Sequence, residues 1–235
     1  MARQPINSRL PSTGIALGPG ALAERPRAAA IIAQCITEWT EVELQTARLL
    51  AAMLNADSQP AIALYLSLAN ARAKREALDA IANMVFSGDY LLLYNAVIKA
   101  KLSVEKQRTD LAHGLFGIPS DDNEGVIWIS TQDRIKHMLK TDETLRLHYY
   151  GNATTQQLAQ EHQKIRHYIH HYTFSDLESI LSNIRDIHSV IMKFTGFASS
   201  AINRHPTDEL YNQLLIMPIV REFLSPSSPK QKNDS

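Results

Sequence analysis

The chain has 235 residues and a mass of 26.3 kDa, with 45% hydrophobic and 20% charged residues, which excludes a wholly disordered polypeptide. Lys+Arg and Asp+Glu each total 24, so the net charge is zero, which excludes a protein that coats nucleic acid by basic excess alone but leaves room for a local basic pocket. The single cysteine, Cys35, excludes an internal disulfide framework and a zinc site of several thiolates; beside an apolar stripe it reads as a small buried filler.

Taken in chain order, residues 1–26 read as a flexible leader: prolines and scattered polar groups, with no apolar run of signal-peptide or membrane-spanning length. A cytoplasmic protein with no membrane partner is the expectation. The glycines at 14, 18 and 20 lack the Gly-Lys-Ser/Thr of a phosphate loop. Helical periodicity begins near Ala28 and continues to Asn55, with Ile36, Trp39, Thr46, Leu50 and Met53 recurring at steps of three and four. A second helix is predicted over 59–87, with Pro60 in its first turn and Gly88 as its stop. A third is predicted over 89–113, stopped by Gly114.

The pattern then changes. GVIWIST (125–131) is short, β-branched and aromatic, as a strand requires, and ETLRLHYY (143–150) is a second strand candidate. Helix returns over 156–171 and again over 174–202, where Ser175 and Glu178 have capping-box spacing. Residues 207–223 read as helix interrupted near Pro218. The tail from Ser225 has the composition of a disordered terminus. The expected architecture is mostly α: an up-and-down helical bundle over 27–224, forming one domain, with a small mixed α/β insertion at about 118–172.

Charges interrupt three apolar stripes. Glu43 falls in the first helix's stripe, Arg75 in the second's, and Lys101 and Arg108 in the third's. A buried carboxylate needs a partner, so Glu43 with Arg75 or with Arg108 are structural possibilities. Equally, the long stem of Arg75 can lie along an alanine-rich face and carry its charge to solvent.

At the end of the third helix stands Arg108-Thr109-Asp110-Leu111-Ala112-His113-Gly114. This segment resembles the Arg-x4–6-His signature of the HEPN superfamily (higher eukaryotes and prokaryotes nucleotide-binding domains), a family of helical bundles. The wider resemblance takes in residues 28–114 and the helix from Phe174. It implies a metal-independent endoribonuclease, with no cofactor, assembled at a homodimer interface. Arg108 and His113 would be catalytic, with Thr109, Asp110 and Glu43 in support. A toxin or anti-phage setting with a neutralising partner protein is also implied.

The residue types suit that chemistry on their own terms. Histidine titrates near neutrality and can take a proton from a ribose 2′-OH. Arginine offers a rigid fork of donors to a phosphate. Thr109 stands where active members most often carry Asn, Asp or His, so a non-catalytic helical dimer that binds RNA, nucleotide or a protein is the alternative. A purely structural role is also open: a histidine in a last helical turn is favoured by the helix dipole.

Lys101, Lys164, Arg166 and Tyr168 are candidates for RNA contact through phosphate bonding and stacking. His167 and His171 have the i,i+4 spacing of a metal-binding pair, but no Glu-x-x-His accompanies them, so a solvated or interface-lining histidine-rich helix is expected instead of a metal site.

Overall fold

A computed structural model describes residues 4–224. The elements in chain order are β1 (Gln4–Pro5), α1 (Ile6–Arg9), β2 (Ile15–Leu17), a 3₁₀ turn (Ala21–Glu24), α2 (Pro26–Leu54), α3 (Ser58–Ser67), α4 (Ala71–Val85), α5 (Gly88–Ala112), β3 (Gly114–Pro119) and β4 (Val126–Ser130). Then come α6 (Thr131–Tyr149), α7 (Thr155–Lys164), a 3₁₀ turn (Ile165–His167), β5 (His170–Tyr172), α8 (Phe174–Ile202), α9 (Asp208–Ile216) and α10 (Pro218–Leu224). The protein is mostly α with one small antiparallel sheet. No helix of the described residues is long and apolar enough to cross a membrane.

The described residues divide into two compact units, 4–36 with 107–181, and 37–106 with 182–224. The first contains the sheet, ordered β1-β5-β4-β3-β2. Alternation sorts the sheet's side chains. Ile127 and Ile129 share one face with Leu115, and pack with Ile6, Leu10, Ile165 and Ile169 into an apolar cluster. Trp128 points to the other face, its ring centroid 6.0 Å from that of His170. Gly114 is required there, because a Cβ on it would overlap the Trp128 indole. At the end of β4, Ser130 caps α6 by accepting the N–H of Asp133 at 3.0 Å.

The second unit is helical. Its core gathers Leu49, Met53, Leu78, Val97, Ile187 and Ile191, with an aromatic cluster in which Phe194 lies 5.4 Å from Phe197 and Phe197 lies 4.9 Å from Tyr90. Met53, among the positions that the helical periodicity marks as core, is buried there.

Several expectations are corrected. Residues 4–24 of the leader carry two strands, a helical turn and a 3₁₀ turn, because β1 and β2 complete the two edges of the sheet by pairing with β5 and β3. The tail from 225 lies outside the described residues. The helix expected over 59–87 is two helices: Leu68 is extended, and Asn70 starts α4 by accepting the N–H of Ala73 at 2.9 Å. Gly88 takes φ +53 at the entry to α5, a left-handed conformation that glycine adopts without strain.

The strand expected at 143–150 is the end of helix α6. The helix expected over 156–171 ends at Lys164, and His170 and His171 lie in β5, so His167 and His171 do not share a helical face. The capping box of α8 is made by Thr173 and Asp176, which bond reciprocally, and not by Ser175 and Glu178.

Candidate functional site

The structure puts Arg108 in the last turns of α5 and His113 one residue beyond its end. The N–H of His113 still bonds the carbonyl of Thr109 at 3.1 Å, so the helical path extends to the histidine. The carbonyl of His113 accepts from the hydroxyl of Thr131 at 3.0 Å, tying the helix end to the first residue of α6. Gly114 then enters β3. His113 and Thr109 are exposed, and Arg108 and Asp110 are half-buried.

Arg108 has no ion pair among the described residues, and its Nε is enclosed with no hydrogen-bond partner. An enclosed N–H donor without an acceptor costs about 1–3 kcal/mol. The fork of donors on an arginine guanidinium has the geometry to meet a phosphate.

Glu43 takes neither arginine. Its Oε1 accepts from Lys101 Nζ at 2.9 Å and its Oε2 from Lys74 Nζ at 3.2 Å. Lys101 also donates to Glu105 at 3.2 Å and lies 5.0 Å from the centroid of the Trp39 ring. Burial pushes the Glu43 carboxyl up, but Lys101 and Lys74 override that effect and hold it below its ordinary value. Burial, aided by Glu43 and Glu105, raises the pKa of Tyr65 in the same pocket. The cavity among these groups is about 20 Å³, room for about one water molecule. Glu43 therefore anchors a structural ion network in the second unit. Lys101, only 7% exposed and committed to two carboxylates, is corrected from an RNA contact to a member of that network.

Lys164 and Arg166 do come together, on an open groove of about 580 Å³ in the first unit that Asn7, Gln160, Gln163 and His167 also line. Lys164 bonds Glu161 at 2.7 Å while remaining half exposed. Arg166 has a structural duty: its guanidinium donates to the carbonyls of Thr13 and Leu10, each at 2.8 Å, and of Pro11 at 2.9 Å. Those bonds hold the N-terminal segment against the turn after α7, so the donors expected to meet RNA are taken by backbone. Tyr168 is partly exposed just beyond that turn.

Sequence reasoning missed a pair formed by buried His171 and partly exposed Asp122, whose Nε2 and Oδ2 are 2.8 Å apart. Burial lowers the pKa of His171 despite Asp122. Asp122 also accepts the N–H groups of Glu124 and Gly125, each at 2.9 Å, which makes it the organiser of the β3–β4 turn. Its only local sequence signal was the Asp-Asp-Asn-Glu-Gly turn composition. Among the described residues no group of three or more His, Cys, Asp or Glu is placed to hold a metal ion, and Cys35 is fully buried.

Compared with known proteins, the chain matches no family model, no curated protein and no solved structure.

Proposed function

We propose that this protein is a HEPN-like endoribonuclease in which Arg108 and His113 act together on one phosphodiester. The observation that carries the reading is a half-buried arginine, in no ion pair among the described residues, five residues before an exposed histidine at the end of a long helix. Arg108 binds the scissile phosphate and stabilises charge developing on its oxygens. His113 takes the proton from the 2′-OH, whose oxygen attacks phosphorus in line while the bond to the 5′-oxygen breaks. The products are a 2′,3′-cyclic phosphate and a 5′-hydroxyl, the latter protonated by the imidazolium of a second copy's His113. The reading calls for a homodimer in a toxin or defence setting, and for a partner protein that holds the activity in check. With Arg166 committed to backbone carbonyls, half-exposed Lys164 and partly exposed Tyr168 are the groups left for phosphate contact and stacking.

The test is cleavage of a single-stranded RNA in EDTA by wild type, His113→Ala and Arg108→Ala. Wild type is expected to give cyclic-phosphate ends, and each variant to lose on the order of 10²–10⁴-fold in rate. Equal rates in all three proteins refute the catalytic assignment. Binding of the same RNA without cleavage, weakened in Arg108→Ala, supports the second reading, a non-catalytic RNA-binding module. That reading is favoured by exposed Thr109, which offers only a hydroxyl where an amide, carboxylate or imidazole would reach a substrate.

A further inference from the structure

Helix α6 is amphipathic in the reverse of the usual sense. Among the residues turned away from its exposed side are His137, Thr141 and His148. His137 bonds the carbonyl of Glu161 at 2.9 Å, Thr141 reaches the His137 ring at 3.4 Å, and His148 bonds the carbonyl of Ala153 at 2.9 Å. α6 thus meets α7 and the loop before it largely through polar groups. The exposed side holds Ile135, Met138, Leu139, Leu145 and Tyr149, with Leu139 66% and Tyr149 83% exposed and the other three about half. At 100° per residue these five fall within an arc of about 120°, the width of a core-facing stripe. A helix that turns its polar seam inward and its apolar stripe outward is built to have the stripe covered.

Two charges lie within the stripe, Asp142 and Arg146, both exposed and neither in an ion pair among the described residues. One acid and one base four residues apart on a helix are self-complementary under a two-fold axis. With the axis at Thr144, antiparallel pairing sets each Asp142 opposite the other copy's Arg146, Leu139 opposite Tyr149, and Met138 opposite Tyr150. The five apolar residues expose on the order of 600 Å² of side chain, at roughly 200 Å² for each whole residue. That is of the same order as the roughly 800 Å² per partner of a standard interface.

We propose that α6 is the surface through which two copies of this chain associate, antiparallel and two-fold symmetric, with reciprocal Asp142–Arg146 ion pairs inside an apolar seam. The inference stands on α6 alone: pairing about Thr144 sets the two Thr131 ends, each bonded to its own His113, roughly 40 Å apart, so this contact is separate from the dimer that RNA cleavage calls for.

Sedimentation velocity of the full chain, over about 1–100 µM, reads the association directly. The wild type is expected to be a dimer in this range. Leu139→Glu, which buries a charge in the seam, should weaken association at least about tenfold. Asp142→Arg and Arg146→Asp should each do the same, by setting like charges together at two places. The double variant Asp142→Arg/Arg146→Asp should recover most of the lost affinity, because exchanging acid and base restores both pairs. Circular dichroism checks that each variant keeps its helical content, and the charge-exchange series decides the matter if Leu139→Glu does not fold. A monomeric wild type overturns the proposal, including a monomer that binds lipid vesicles through the same stripe. A dimer indifferent to all four variants, or a double variant weaker than both singles, also overturns it.

Discussion

Replacing Lys101 by Met tests the ion network of the second unit in a way that a surface pair would not allow. Methionine keeps the unbranched stem that packs near Trp39 but removes the ammonium, leaving Glu43 with Lys74 as its one cation and Glu105 with none among the described residues. Breaking a fully buried pair by deleting one partner costs about 3–5 kcal/mol. The side chains of Glu43 and Glu105 keep 23% and 21% of their exposure, so water screens part of this. The expected penalty is about 2–3 kcal/mol at neutral pH.

Urea unfolding followed by Trp39 fluorescence reports on the correct unit, with Trp128 changed to Phe in both proteins compared, and the midpoint shift gives the penalty. The penalty should also depend on pH with a definite sign. In the folded protein the Glu43 carboxyl lies below its ordinary value of 4.5, so its contribution is full above that pH and is lost as pH falls through the folded value. Lys101→Met removes the principal cause of the lowering, so the gap between the two proteins should narrow in acid. A penalty below about 0.5 kcal/mol, or one that is unchanged between about pH 7 and pH 3, refutes the account of a coupled network.

Two further variants probe the first unit. Gly114→Ala places a methyl group against the Trp128 indole, and the overpacking should cost about 1–3 kcal/mol, read as a lowered midpoint of thermal unfolding in the near-ultraviolet circular dichroism. Arg166→Ala strips three carbonyls of the N-terminal segment of their donors. Limited proteolysis around Leu10–Gly14 should then accelerate roughly 5–30-fold, as expected for a local loss of about 1–2 kcal/mol, with global stability little changed.

The long helices were legible because burial imposes one period over many turns: α2, α5 and α8 each follow the stripe that the sequence marks, as β4 follows its alternation. What was illegible depended on distant chain or on an inverted pattern. β1 is two residues long and exists only because β5, more than 160 residues later, offers it an edge. The end of α6 alternates as Leu145, Leu147, Tyr149, which mimics a strand when the polar inward seam of His137, Thr141 and His148 is mistaken for a solvent face.

At the ion network the sequence located Glu43 and Lys101 but paired the acid with the wrong residue. A continuous helix over 59–87 points Arg75 inward. The break at Leu68–Asn70 resets the rotation, and it is Lys74 that reaches Glu43. For Arg108 and His113 only the spacing was legible; the burial of the arginine and the anchoring of the His113 carbonyl by Thr131 belong to tertiary structure.

The two units are interleaved along the chain, and this shapes how the protein is made. Each is assembled from an early and a late stretch of polypeptide, so neither is complete when the ribosome has finished the first half. Ile6 must wait for Ile169 before its cluster closes, and β1 waits as long for its strand. Such distant pairings slow folding and leave unpaired edges exposed while synthesis proceeds. Any single cut between residues 36 and 182 parts the early from the late stretch of at least one unit.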